Sequence, residues 1–248
     1  MAKATTERDP LIHALTVLTV LSGIADAISY LGLGHVFTAN MTGNVVVIGF
    51  ALAGWPGFSA PASLLSLAAF LCGAAGAGRL ASTYGGRRRW MLTAVSAEAT
   101  LAAVCAVISF AHHGISTGAA RFTVIALLAF AMGVRNATVR RMAVPDMNTT
   151  VLTLTLTGIA SDSSLAKGSN PRITRRASAV LAIVLGAYLG AVLMRNVNAG
   201  WPLLLWCGIA TVTGLYYMVR SRGQDDEPAA GAGGPAAAGA AGAPAPPR

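Results

Sequence analysis

Four polar side chains stand within eight residues of a strongly apolar chain, in the stretch FTANMTGN at residues 37–44. Polar groups inside hydrocarbon cost free energy unless they find hydrogen-bond partners. Asn40, Thr42 and Asn44 are therefore predicted to offer amide and hydroxyl groups to a small solute at a central site. The alternative is that these side chains join helices through interhelical hydrogen bonds, as small polar residues often do.

A second segment repeats part of this pattern. Thr149 and Thr153 have the Thr-x-x-x-Thr spacing of the first stretch, and Pro145 indicates a break in the backbone just before them. Irregular backbone at membrane depth is tolerated only where protein or a water-filled cavity covers it. We predict that Thr149 and Thr153 line the same central site, together with the amide of Asn136.

Two carboxylates fall inside apolar spans, where an ionisable group indicates a functional site by default. Asp26 shares one helical face with Ser22 and Ser29, because the three follow at intervals of four and three residues. Asp26 is predicted either to couple protons or to meet Arg135 or Asn136 as a structural pair between the two halves of the chain.

Glu98 is the second intramembrane acid. It is interpreted either as a proton relay or as the partner of a nearby arginine such as Arg79. A structural ion pair is the favoured reading, because an unpaired charge at this depth is costly.

Catalytic and metal chemistry is not indicated. The sequence has no nucleophile elbow, phosphate-binding loop or dinucleotide fingerprint. His112 and His113 have no further ligands near them in the sequence, and all three cysteines fall inside apolar spans. We therefore expect no catalytic residue, no cofactor and no metal, and the chain is not expected to be an enzyme.

Composition assigns the chain to the membrane class. Of its 248 residues 54% are hydrophobic and only 11% charged, with a mean hydropathy of +0.62. Six apolar runs reach the length of about 20 residues that crosses a bilayer. These runs are residues 11–30, 62–82, 91–111, 122–139, 177–194 and 202–219. Residues 37–54 and 148–161 are apolar segments interrupted by polar residues, and are predicted to be broken or re-entrant, although eight crossings are the alternative.

The basic residues support six crossings. With six full spans every arginine cluster falls on one side, whereas eight spans place one cluster on the wrong side in either orientation. The prediction is a multi-pass protein of the bacterial inner membrane with both termini cytoplasmic. The net charge of +9 is explained by these short loops, so nucleic acid is not an expected partner.

An internal duplication is the third organising feature. The pattern G-x-x-(D/N)-A occurs at residues 23–27 and 133–137, and the Thr-x-x-x-Thr and Gly-Ala patterns recur at nearly the same offset. The predicted units are an N-terminal segment 1–10, membrane repeats 11–112 and 119–222, and a disordered Ala/Gly/Pro-rich tail 223–248. Three full spans per repeat invert the second half, a plan that recurs in secondary transporters.

The motifs that carry these features resemble those of a known family. The runs GIADA, VFTANMTGN, MGVRNATVRR and TTVLTLTLTG are similar to the YoaK-like family of bacterial integral membrane proteins, over about residues 11–220. That resemblance implies a multi-pass membrane protein of unknown function, for which transport is assumed rather than shown. Arg135 and Leu154 stand where the family pattern leads us to expect Gln and Gly, so an Asp26–Arg135 pair is not expected to be family-wide.

The fold predicted from the sequence is an all-α polytopic helix bundle. Its predicted function is an inner-membrane permease or channel for an unidentified small solute, with the bilayer and that solute as partners. The alternative is a non-transporting membrane scaffold or sensor. The sequence names neither the solute nor the oligomeric state.

Overall fold

A computed structural model of the chain describes residues 10–83, 86–112, 115, 118–142, 152–164, 168 and 173–221. The predicted tail 223–248 and all but the last residue of the predicted segment 1–10 lie outside these residues, as does Thr149. The described chain forms eight helices. They are α1 (Pro10–Gly32), α2 (Met41–Leu52), α3 (Ala60–Thr83), α4 (Arg87–Ala111), α5 (Gly118–Met142), α6 (Leu152–Ser161), α7 (Ile173–Asn196) and α8 (Gly200–Arg220).

Six of these helices are long and apolar enough to cross a membrane, namely α1, α3, α4, α5, α7 and α8. The other two, α2 and α6, have 12 and 10 residues. At 1.5 Å per residue they span about 18 and 15 Å, well short of a hydrocarbon core of about 30 Å. The chain is thus a polytopic helical membrane protein, as predicted.

Hydrogen bonds between α1 and α5 fix the relative direction of the two halves. Arg121, near the start of α5, donates to the carbonyl of Leu33 just after α1, at 2.7 Å. Arg135, near the end of α5, donates to the carbonyl of Leu18 in α1, also at 2.7 Å. The two helices are therefore antiparallel. Two antiparallel spans have an even number of crossings between them, here α3 and α4, so α2 turns back without crossing. The half α5–α8 is therefore inverted relative to α1–α4.

Two glycine seams pack the halves together. A Cβ on Gly23 of α1 would meet the backbone of Ile183 in α7, and one on Gly186 would meet the backbone of Val20. In the other seam, Gly133 of α5 lies against the backbone of Phe70 in α3. Each seam joins the first long helix of one half to the third helix of the other half. The close backbone approach explains why small residues occupy these positions.

Arg121 lies at one end of the bundle, near Leu33, whereas Arg87 and Arg88 lie at the other end. Arg87 at the start of α4 donates to the carbonyl of Met142 at 3.2 Å, which joins the start of α4 to the end of α5. Arg88 donates to Ser221 at 3.0 Å, next to the end of α8. We call this the arginine end. It lies where the positive-inside pattern predicts the cytoplasmic side.

The FTANMTGN stretch is not one helix, so its Thr-x-x-x-Thr spacing does not place Thr38 and Thr42 on one helical face. Backbone φ angles of +80° at Gly34 and +59° at His35 stop the chain from continuing α1. Left-handed φ values break helices, and glycine adopts them most easily. The chain resumes helical structure only at Met41, so Thr38 lies in the connecting segment 33–40.

Candidate functional site

A cavity of about 1360 Å³ opens between α1, α2, α3, α5 and α6, with α7 contributing Ile183. Both short helices border it, so the cavity lies where the two inverted halves meet. Its wall is largely apolar, with a limited set of polar and charged side chains. These are Ser22, Asp26, Tyr30, Asn40, Thr42, Asn136, Arg140, Arg141 and Thr153.

The cavity collects five of the seven residues predicted to bind solute. Asp26, Asn40, Thr42, Asn136 and Thr153 all line it. They come from four helices and the segment before α2, and from both halves of the chain, so the two halves share the cavity.

Asn44, by contrast, does not line the cavity. Its side chain is fully buried and pairs with the backbone of Phe37, accepting from the amide at 2.9 Å and donating to the carbonyl at 2.6 Å. Ser66 of α3 donates to the same carbonyl at 2.6 Å. Asn44 thus ties segment 33–40 to α2 and α3, which is the packing role that the sequence left open for this motif.

Asn40 and Thr42 sit at the start of α2, on the cavity side. Asn40 is the N-cap of α2, and its side-chain oxygen accepts from the amide of Gly43 at 3.4 Å. A side-chain cap of this kind satisfies one of the free amides at a helix start. Thr42, one residue into α2, is exposed at the cavity wall.

Asp26 holds the connecting segment while remaining open to the cavity. Its carboxylate accepts from the amide of Ala39 at 3.2 Å, and the amides of Thr38 and Asn40 lie beside it. Asp26 is half-buried and lines the cavity wall. Within the described residues it forms no salt bridge.

The predicted meeting of Asp26 with Arg135 or Asn136 does not occur. Leu33 is level with Arg121 and Leu18 with Arg135, because hydrogen bonds join them. Interpolation between these two pairs places Asp26 at about the level of residue 128 of α5. Asn136 is then roughly 12 Å farther along the helix axis. Its amide donates to the carbonyl of Met132 in its own helix, at 2.9 Å. The two residues face the same cavity at different depths.

Arg135 pairs instead with Glu98, and this corrects the suggestion that Arg79 is the partner of Glu98. The guanidinium donates to both carboxylate oxygens, at 2.8 Å for Nε to Oε2 and also from Nη2 to Oε1. Both side chains are buried, with 3% of each exposed, whereas Arg79 is exposed. Bidentate arginine–carboxylate pairs are the strongest geometry available to this combination.

Trp206 of α8 completes this buried cluster. Its indole nitrogen donates to Oε1 of Glu98 at 2.6 Å, and the guanidinium of Arg135 lies 5.5 Å from the centre of its ring. The sequence analysis did not predict a role for Trp206. Nothing in the residues around it shows whether its indole only packs in the core or also donates a hydrogen bond to a distant acid.

Ser22 connects the buried cluster to the cavity. Its hydroxyl accepts from Nη1 of Arg135 at 3.0 Å, and the same residue lines the cavity wall. The Arg135–Glu98 pair therefore contacts α1 at Leu18 and Ser22, and Ser22 is one helical turn from Asp26.

Aromatic rings surround the end of the cavity near Asp26, which we call the aromatic end. The rings of Tyr30 and Phe37 stack with centroids 4.9 Å apart, and those of Phe50 and Phe58 are 5.4 Å apart. His35 contacts both groups, at 5.0 Å from Tyr30 and 5.6 Å from Phe58. Little in the local sequence pattern predicts this cluster, because its rings come from α1, α2 and the segments on both sides of α2.

The arginine end lies at the opposite end of the cavity. Arg140 and Arg141 border the cavity there, beside Asn136. By the register of α1 and α5, Arg140 is roughly 18 Å from the level of Asp26 along the helix axis. In the described part of the chain, no group of three His, Cys, Asp or Glu is placed to hold a metal ion.

Comparison with known proteins finds a family and a relative. The model of a family described as "Protein of unknown function (DUF1275)" matches residues 14–216. The chain is also 33% identical to the UPF0700 transmembrane protein YoaK of Bacillus subtilis (strain 168), over 156 residues. That alignment covers 60% of this chain and 66% of the relative, just under two thirds of its length. No solved structure matches the chain.

Proposed function

This chain belongs to the DUF1275 family of unknown function, and we propose that it is a permease or channel that carries a small solute across the bacterial inner membrane. The proposal rests above all on the cavity that both inverted halves share. Asp26, Asn40 and Thr42 from the first half and Asn136 and Thr153 from the second half face the same space.

The short helices favour this reading. Non-helical backbone at membrane depth is stable where it lines a cavity, and transporters place substrate sites at such breaks between inverted repeats. Asn40 caps α2 and Thr42 lies in its first turn, while Leu152 and Thr153 lie in the first turn of α6, and all four line the cavity. The polar groups at the starts of both short helices thus face a space large enough for a solute.

The cavity also extends along much of the bundle. On α1 it follows Ser22, Asp26 and Tyr30, which are one turn apart on a single face. On antiparallel α5 it continues past Asn136 to Arg140 at the arginine end. A polar strip from one end of the bundle to the other is what a route for a solute requires.

Orientation and chemistry follow from the same features. The arginine end is proposed to face the cytoplasm, in agreement with the positive-inside rule, and the aromatic end the outside. The cavity offers amides, hydroxyls and one carboxylate, a set suited to binding and releasing a solute, so a non-enzymatic role is part of the proposal.

The second candidate is a non-transporting scaffold or sensor. It is favoured by Asn44, because the side chain of Asn44 forms hydrogen bonds with the backbone of Phe37 and with Ser66 and does not line the cavity. If Asn40, Thr42 and Asn136 had the same purpose, the polar residues would serve only to hold the helices together.

Matched pairs of single cysteines distinguish the two candidates. In a background without Cys72, Cys105 and Cys207, Ala74→Cys is compared with Ala75→Cys. Ala74 lines the cavity, and its neighbour Ala75 is exposed on the outside of the bundle, toward lipid.

A permease or channel predicts that a small hydrophilic thiol reagent labels the cysteine at position 74 and leaves the one at 75 unlabelled. Ile183→Cys and Val184→Cys repeat the comparison on α7, because Ile183 lines the cavity and Val184 is 59% exposed on the lipid side. The proposal would be overturned in favour of the scaffold if the cysteines at 74 and 183 were as protected as those at 75 and 184. The same protein with a cysteine introduced in a loop must react, to show that the reagent works.

A further inference from the structure

The two intramembrane acids differ in what balances their charge. Glu98 has the guanidinium of Arg135 and the indole of Trp206. Asp26 accepts from the backbone amide of Ala39 at 3.2 Å, the backbone amides of Thr38 and Asn40 lie beside it, and it has no cationic partner among the described residues. Backbone amides carry no full positive charge, so the charge of an ionised Asp26 has no fixed counterion beside it in the described part of the cavity wall.

The arginines of the cavity do not supply the missing cation. Arg140 and Arg141 lie at the arginine end, and neither forms a salt bridge with Asp26. The axial separation of roughly 18 Å between the levels of Asp26 and Arg140 is too large for an arginine side chain to close. Asp26 therefore faces an open cavity without a fixed counterion, and a cationic ligand in that cavity would stabilise its ionised form.

The rings of the aromatic end provide the second indication. Tyr30 stands one helical turn from Asp26 on the same face of α1, and both line the cavity with Phe37, Phe50 and Phe58. The face of an aromatic ring attracts a cation, and such sites recognise ammonium groups that are too weakly hydrated to need many oxygen ligands. A carboxylate beside several rings is a chemical match for an organic ammonium ion.

We propose that the aromatic end binds the ammonium group of an organic cation, with Asp26 as its counterion and Tyr30, Phe37 and Phe58 around its hydrocarbon part. This inference rests on the proposed function and names its substrate class. The cavity of about 1360 Å³ has room for a cation with a hydrocarbon body. Ca²⁺ or Mg²⁺ fits less well, because these ions prefer several charged oxygen ligands, and no group of three His, Cys, Asp or Glu placed to hold a metal ion occurs among the described residues.

Binding of two defined cations to the purified full chain in lipid nanodiscs tests the proposal. The probes are phenethylammonium and benzyltrimethylammonium, with neutral 2-phenylethanol as the uncharged match, and equilibrium dialysis measures occupancy. We expect saturable binding of at least one cation, and binding of 2-phenylethanol at least tenfold weaker. Asp26→Asn should weaken cation binding at least tenfold, and Phe58→Leu at least threefold.

Two control variants change the same residue types away from the cavity. Asp162→Asn removes an acid that pairs with Arg176 on α7, and Phe122→Leu removes an exposed ring of α5. Both should bind the cations as the unmodified chain does. Each variant is first shown to elute as a single species and to melt cooperatively, and Phe58→Leu decides the matter if Asp26→Asn does not fold.

The proposal is overturned if neither cation binds saturably, or if the folded Asp26→Asn and Phe58→Leu variants bind as tightly as the controls. If such a result is obtained and the cysteine at position 74 is labelled, the cation-binding proposal is rejected while the permease or channel proposal is retained. Protection of position 74 rejects the permease itself. The two failures are thus distinguishable.

Discussion

Asp26 and Glu98 are both acids inside the membrane, yet their surroundings assign them opposite roles. Glu98 is 3% exposed and engaged by Arg135 and Trp206, so it joins α4, α5 and α8. Asp26 is half-buried, faces a cavity and is held by backbone amides alone, with no side-chain donor or cation among the described residues. Burial of an acid inside a membrane protein therefore does not by itself identify a functional group. What matters is whether a cationic partner already balances its charge.

The same contrast separates the two asparagines of FTANMTGN. Asn44 is fully buried and bound to Phe37 and Ser66, whereas Asn40 caps α2 at the exposed cavity wall. One motif thus supplies both a structural tie and a lining group. Substitutions that affect stability should therefore be separable from substitutions that affect ligand binding.

The largest effect on stability is expected at Glu98. Glu98→Gln leaves the buried guanidinium of Arg135 without a counterion, and breaking a buried pair in this way costs about 3–5 kcal/mol. We expect a large fall in the melting temperature of the detergent-solubilised protein. The double variant Glu98→Gln with Arg135→Gln should recover part of that loss, and a single variant as stable as the unmodified chain would contradict the assignment.

Asn44→Ala is expected to have the next largest effect. It removes the side chain that pairs with the amide and carbonyl of Phe37, and a buried backbone group left unsatisfied costs about 1–3 kcal/mol. Asn40→Ala is the matched control, and loss of an N-cap costs about 1 kcal/mol. Thermal melting of both variants measures which substitution destabilises the protein more. A lower melting temperature for Asn40→Ala than for Asn44→Ala would contradict the structural role of Asn44.

Trp206→Phe should cost about 2 kcal/mol, because it removes a hydrogen bond to a charged carboxylate and keeps a ring over Arg135. Trp201 is 53% exposed on the same helix and provides the control. Trp201→Phe should leave the melting temperature nearly unchanged. Equal melting temperatures for the two variants would remove Trp206 from the buried cluster.

Asp26→Asn should have the smallest effect on stability, below about 1 kcal/mol, because the amide oxygen of Asn can still accept from Ala39. This variant should melt close to the unmodified chain while losing cation binding. A loss of stability as large as that of Glu98→Gln would make Asp26 a structural residue and end the contrast.

Much of the fold could be predicted from the sequence, because hydropathy and arginine placement are local properties. The six spans and the two short segments follow from runs of about 20 apolar residues and from the single side on which the arginine clusters fall. The inversion of the halves follows from counting crossings, and the bonds of Arg121 and Arg135 to α1 give the same direction.

The site could be predicted only in part, because partners distant in sequence decide what each polar group does. The sequence identified Asp26, Glu98 and Arg135, but Arg135 is 37 residues from Glu98, and Trp206 is 108 residues from it. Nothing local indicates these pairings. The opposite roles of Asn40 and Asn44 depend on where the helix breaks, which the φ angles of Gly34 and His35 set.

The most direct test of the contrast uses the unmodified chain in native membranes. A water-soluble carbodiimide with glycinamide converts accessible carboxyl groups to amides, and peptide mass spectrometry measures the modified fraction at each acid. The account predicts that Asp26 is modified through the cavity, while Glu98 reacts only after the protein is denatured. Equal protection of the two acids, or modification of Glu98 in the folded protein, would contradict it.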